Sequence, residues 1–331
     1  MFTLQEDLAS LMLLPPSHFR NLTVFPLVRP KQNEKELDYL LLDEAVSSGA
    51  VHITELHANG RVPELRLANN ADKPVLLLNG EELLGAKQNR VLNLTILAPA
   101  KRTINIPVSC AEAGRWHIAS TDMHPASHVM YSNVRADQTF QVTESLRSSG
   151  TPSSDQASVW RNIAAKATRL KSVSPTGAMS DIYKSHASSI EAFVQAFPWK
   201  EQESGAAFGI EGQIIGLDVF DHSKTMQRLL PKLVRSYALD ALDRPTQSSA
   251  PADQRDVVAM IEGIGEGQTS SDKAVGLGKD VRFTGRRATG AALWAEGRYV
   301  HICGFAPTPM DTNRTAAMQM HLTRASRRNL F

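Results

Sequence analysis

The sequence predicts an α+β fold, in which a strand-rich N-terminal part with a sandwich-like or barrel-like sheet packs against helices and two β-hairpins from the C-terminal half. Three observations carry this expectation. Short β-prone runs separated by Gly, Asn and Pro crowd residues 21–118. Residues 148–158 shift to Ser, Gly, Pro and Thr, the composition of a linker. Beyond them, apolar residues recur at helical spacing between two Glu-Gly hairpin signatures. A length of 331 residues suits two compact units. The expected division is a strand-rich unit over residues 1–145, carrying the polar motifs, and a helix-and-hairpin region over 153–331. The two share one core if the hairpins extend the first sheet.

Taken in order, Leu37, Leu40, Leu41 and Ala45 recur at helical spacing before Gly49 and predict a helical insert. Val51 to Leu56, Pro74 to Leu78, Arg90 to Leu97 and Thr103 to Val108 read as strands, and the third is apolar enough to be buried on both faces. Ser153 followed by Gln156 fits a capping box, opening a helix with Val159, Ile163, Ala167 and Leu170 on one face. A second helix is expected from Ser180 to Phe197, ended by Pro198. A third is expected from Thr225 to Leu242, kinked or begun by Pro231. Two segments, GAAFGIEGQIIGLDVF from Gly205 and GAALWAEGRYVHICGF from Gly290, read as hairpins turning at Glu211-Gly212 and Glu296-Gly297. They match at both ends and at the turn, as either a duplicated unit or two convergent hairpins with similar turns would. Residues 243–256 and 265–280 are Ser, Gly, Pro and Gln rich and read as surface loops. Arg314, Arg324, Arg327 and Arg328 fall on a final helix, where they complement its dipole.

Composition excludes several classes. Thirty-six basic against 34 acidic residues give no global reason to expect nucleic acid or an anionic membrane as partner. Two cysteines cannot build a disulfide framework, and the start MFTLQEDLASLMLLPP lacks the basic flank of a signal peptide. With no run of roughly 20 apolar residues, the expectation is a cytoplasmic protein without a membrane span.

The informative stretch runs from Asn79 to Trp116. NGEELLGAKQNR packs Glu81, Glu82, Lys87, Gln88, Asn89 and Arg90 between two strand-like runs, with Gly80 and Gly85 allowing the chain to turn sharply. Arg and Gln in one turn suit a polar ligand bearing phosphate, ribose or carboxylate. PVSCAEAGRW adds Cys110, Glu112, Arg115 and Trp116 just after another strand-like run, where functional loops are usual. Four residues separate Cys110 from Arg115, whereas the phosphate loop of Cys-phosphatases and rhodaneses has five, so Cys110 reads as a buried small hydrophobe. A helix through HPASH would set His124 and His128 on one face near His117 and Asp122, but Pro125 favours a loop, and no metal is assigned. His301 reads as a hydrogen-bonded strand residue. Walker, dinucleotide and nucleophile-elbow signatures are missing, and Gly276 with Gly278 lacks the strand and helix such a fingerprint needs.

NLTVFPL at Asn21, LDEAVSSG at Leu42, NGEELLGAKQNR and IPVSCAEAGRW, in this order, resemble the ADP-ribosylglycohydrolase and rhodanese-phosphatase associated protein domain, over most of the chain. That resemblance implies a context of ADP-ribose and related phosphates and assigns no reaction or cofactor. It picks out Gly80, Glu81, Gly85, Gln88, Asn89, Arg90, Glu112, Arg115 and Trp116.

Two readings follow. In the first, the chain binds or processes an ADP-ribose-like or other phosphorylated nucleotide ligand. Glu81 or Glu112 serves as general base, Glu82, Lys87, Gln88, Asn89, Arg90 and Arg115 hold the ligand, and Trp116 stacks on a base. In the second, it is a noncatalytic scaffold or homo-oligomerisation module whose polar blocks brace the fold.

Overall fold

The computed structural model describes residues 3–30, 36–56, 63–244 and 250–307, and its fold is α+β. The final helix expected around Arg314 to Arg328 lies outside them. Strand and helix formers sort as the patterning demands, and the described strands form three sheets.

The largest sheet has nine strands and is antiparallel throughout. Leu22–Val28 pairs with Glu203–Ile210, which pairs with Gln213–Phe220, then Arg298–Phe305, Thr289–Ala295, Lys279–Thr284 and Gln268–Lys273. Two short strands, Met12–Leu13 and Ser17–Phe19, flank Leu22–Val28. An N-terminal strand thus belongs to the sheet of the C-terminal hairpins. The six-stranded sheet runs Met123–Val129, Glu81–Gly85, Arg90–Leu92, Arg102–Cys110, Glu64–Asn69, Val51–Glu55. A three-stranded sheet joins Ile96–Ala98, Val75–Leu77 and Leu40–Leu41, the last pair parallel.

Both hairpins form as expected. Glu211 and Gly212, like Glu296 and Gly297, all have positive φ, which is the I′ turn that matches strand twist. Each hairpin also carries a register shift at the same place, Phe208/Gly209 and Leu293/Trp294. The two pack side by side through their second strands, with Asp218 opposite Cys303, the equivalent position of the other hairpin. A pseudo-two-fold therefore passes between these residues. Gly290 is obligatory there, because a Cβ would meet the Cys303 carbonyl oxygen and the Phe283 ring. Gly290→Ala is expected to cost about 1–3 kcal/mol, as overpacking does, read from the urea midpoint.

Three apolar clusters hold these layers together. The largest draws Leu22, Tyr39, Val91 and Tyr131 from one half and Phe208, Phe220, Leu233 and Tyr237 from the other, with the Ser223–Leu242 helix at its centre. A second lies under helices Leu4–Ala9 and Gln254–Gly265 on the other face of the large sheet. In the third, Val51, Leu67, Leu77, Leu83, Ile96 and Ile106 fill the space between the six- and three-stranded sheets.

Several local expectations are corrected. Leu40 and Leu41 are a strand, and only Leu42–Ser47 is helical. Asp155, not Ser153, caps the Gln156–Arg169 helix, because its carboxylate accepts from Ala157 N at 3.0 Å while Gln156 is drawn away to the Cys110 backbone. The Ser180–Phe197 helix breaks at His186 into Met179–Ser185 and Ala187–Ala196. Residues 265–280 hold strand Gln268–Lys273 and the start of Lys279–Thr284. Helix Ser132–Ser149 has almost no apolar stripe to read, since Ser132, Arg135, Gln138, Thr139 and Thr143 are buried alongside Val134, Ala136 and Val142.

Candidate functional site

NGEE becomes a hub, because its four residues grip three different elements. Asn79 Oδ1 accepts from Arg135 Nε at 3.4 Å. Gly80, at φ +80°, leaves room for the Arg135 stem, which a Cβ would meet at 2.8 Å. Arg135 goes on to a bidentate pair with Asp218 at 2.7 and 3.1 Å, and His301 bridges Asp218 to Thr95. Glu81 takes Lys232 Nζ on one oxygen and Leu78 N on the other, both at 2.8 Å, and Lys232 also meets Asp43. Glu82 is fully buried and its Oε2 lies 2.6 Å from His128 Nε2, while Oε1 has no protein partner.

A second network surrounds the turn that Gly85 and Ala86 make with positive φ. Asn89 donates its backbone N–H to Glu112 Oε2 at 3.0 Å and its amide to Ser180 Oγ at 3.3 Å. Arg115 donates to Glu112, Asn89 Oδ1 and the carbonyls of Gly85, Ala86 and His117. Thr176 closes the ring on Glu112 Oε1 at 2.6 Å. Burial alone would raise the Glu112 pKa, but the bonds from Arg115, Thr176 and Asn89 outweigh it and hold the carboxyl below its usual range. Glu112, Arg115 and Asn89 thus spend their polar groups tying two loops to the start of the Met179–Ser185 helix.

Strand register separates the remaining residues. Glu82 stands opposite Val91, so it shares that face, and neighbouring Arg90 points to the other. On that other face Arg90 is fully buried with Gln88 at 3.0 Å and Glu55 at 3.5 Å, and its Nε is unpartnered. Trp116, half exposed, lies over Arg90 and Lys87 at 5.9 and 5.3 Å from its ring centroid. Cys110 is buried here, and burial pushes its thiol up to about 11. The residues expected to converge on one ligand therefore occupy two faces of one sheet.

A cleft of about 290 Å³ opens on the Glu82 face. His128, Ser180, Tyr183, Lys184, Glu191 and Arg235 line it, together with apolar Leu84, Ala126 and Ile190. His128 stacks on Tyr183, with ring centroids 3.6 Å apart, and Tyr183 is anchored by its hydroxyl to Val129 O at 2.8 Å. His128 is on strand Met123–Val129, not a helix, and a register shift between Pro125 and Val129 buries it while His124 stays exposed. His117 is exposed as well. Among the described residues, no group of three or more His, Cys, Asp or Glu side chains is gathered as a metal site requires. Sequence reasoning missed the cleft, because its lining comes from five elements spread over more than 150 residues. The one trace was His128, noted for its spacing from His124 and not for its pairing with Glu82.

Fold and site together define an α+β protein with a buried carboxylate–histidine pair beside a cleft, braced by two polar loops. The chain belongs to the ARG and Rhodanese-Phosphatase-superfamily-associated Protein domain family, whose model matches residues 10–305. No curated protein and no solved structure matches it. No described helix is long and apolar enough to cross a membrane.

Proposed function

We propose that the chain binds a phosphorylated, nucleotide-like small molecule in the His128 cleft, and that His128, oriented by Glu82, moves a proton to or from it. The carrying observation is the buried Glu82 carboxylate, 2.6 Å from a histidine that lines a cleft. A carboxylate that accepts from Nε2–H fixes the tautomer in which Nδ1 carries the lone pair, the arrangement general bases use. Stacking on Tyr183 holds the ring plane, and Glu82 Oε1 remains a free acceptor. Ligand clefts run from about 300 to 1,000 Å³, so this one suits a ribose phosphate and holds only one end of an ADP-ribose. The family's association with ADP-ribosylglycohydrolase supports that ligand class.

Glu81 and Glu112 act in this reading as braces, and Glu82 is the carboxylate beside the chemistry. Lys87, Gln88, Arg90 and Trp116 form a separate patch. The closed Glu112–Arg115–Asn89 ring favours a second reading, the noncatalytic scaffold or self-associating module. Thermal-shift titration with ADP-ribose, NAD and ribose 5-phosphate decides between them. The first reading expects ribose 5-phosphate to raise the midpoint, with about 2.7 kcal/mol of stabilisation at a hundredfold excess over Kd. His128→Gln should weaken or remove that response. No shift with any ligand leaves the scaffold.

A further inference from the structure

Arg235 and Glu191 line the proposed cleft from two packed helices, Ser223–Leu242 and Ala187–Ala196. The Arg235 guanidinium holds Glu191 Oε2 at 2.9 Å through Nη2, and Nη1 reaches Ser127 O at 3.4 Å. Lys184, the other cation of the lining, is 71% exposed and bound to Asp181 at 3.2 Å within its own helix. Arg235 is only 22% exposed, so of these two cations it is the one set into the wall. We propose that Arg235 is the anion anchor of the cleft and that Glu191 is its resting counterion, displaced when a ligand phosphate arrives. This rests on the reading that the cleft takes a phosphorylated ligand.

Exchange is favourable for three reasons. The Glu191 side chain is 47% exposed, and ion pairs so open to water contribute little, so giving this one up costs little. A phosphate offers a guanidinium two parallel charge-assisted bonds, whereas Glu191 takes one. Released Glu191 returns to solvent without leaving a buried charge. The Ser127 contact meanwhile keeps Arg235 facing the strand that carries His128, so one ligand can meet both. Glu191 then acts as a selectivity filter, since a neutral sugar gains nothing by displacing it and a phosphorylated one does.

The test is calorimetric titration of the wild type, Glu191→Gln, Arg235→Met and His128→Gln at low salt. The probes are ribose 5-phosphate, inorganic phosphate, ribose and a carboxylate, ribonate. Glu191→Gln should bind ribose 5-phosphate about five-fold tighter, the factor expected when a surface counterion worth about 1 kcal/mol is removed. Arg235→Met should bind it at least ten-fold more weakly, and ribose should respond to neither change. Both side chains are partly exposed, and equal melting midpoints without ligand would confirm that the variants fold. Ribonate following the same order, wild type to variants, would extend the anchor to carboxylates, and ribonate failing to bind would restrict it to phosphate. Either result upholds the exchange. Ribose 5-phosphate binding that His128→Gln weakens but neither Glu191→Gln nor Arg235→Met alters would overturn the anchor and leave the cleft reading intact. No binding by any of the four proteins would overturn both.

Discussion

Replacing Arg135 by methionine is expected to destabilise the protein by about 3–5 kcal/mol, the cost of leaving one member of a buried ion pair alone. Arg135 and Asp218 are both fully buried, and their bidentate contact crosses from helix Ser132–Ser149 to the pseudo-two-fold of the large sheet. Burial by itself would raise the Asp218 pKa, yet Arg135 and His301 hold it down to about 2. Without the arginine, only His301 opposes that burial. The carboxylate must then stay charged with only His301 beside it or take up a proton, and either is costly. A double-mutant cycle separates the pair from the packing. Arg135→Met with Asp218→Leu should recover much of the loss, because apolar replacements of a whole buried pair are often tolerated. Equal losses in the single and double variants, from urea unfolding, would show that packing of the arginine stem against Gly80 dominates.

The second large effect is a pH dependence at Glu203. Burial pushes its carboxyl up to about 7 against a usual 4.5, and the Lys200 backbone bond and charge only partly oppose this. One oxygen accepts from Lys200 N at 2.9 Å, and the other is buried without a partner. A carboxyl raised in the folded state favours folding while it is protonated. That contribution is complete below about pH 4.5 and is lost as pH rises through about 7. At about 1.4 kcal/mol per pH unit, the loss approaches about 3 kcal/mol. Glu203→Gln keeps an acceptor for Lys200 and cannot ionise. Its stability relative to the wild type should therefore climb by about 3 kcal/mol between pH 4.5 and pH 8 in urea titrations. A difference that stays constant across that range would show that Glu203 titrates normally.

The sequence made local chemistry legible and left its destinations hidden. Glu-Gly turns demand positive φ at two successive positions, so both hairpins could be read from sixteen residues apiece, and their likeness extended to a matching register shift. NGEELLGAKQNR was recognisable as a special segment for the same local reason. Where each side chain goes is a matter of register. A one-residue step in a strand changes the face, which is why Glu82 meets His128 and Arg90 meets Trp116 on opposite sides. Helix Ser132–Ser149 escaped because most of its buried residues are polar, with only Val134, Ala136 and Val142 apolar, and periodicity detects only apolar faces. Residues 265–280 escaped because Gln268–Lys273 is an exposed edge strand, as polar as any loop.

The central claim is that a phosphorylated ligand sits against His128. Nitrogen-15 spectra of the histidine side chains, recorded during titration with ribose 5-phosphate, test it most directly. Buried His301, held by Thr95 and Asp218, serves as the internal reference. The account predicts that the His128 ring signals, assigned through their loss in His128→Gln, move saturably while those of His301 stay fixed. Unmoved His128 signals with a displaced Trp116 indole resonance would contradict it and put the ligand on the opposite face of the sheet.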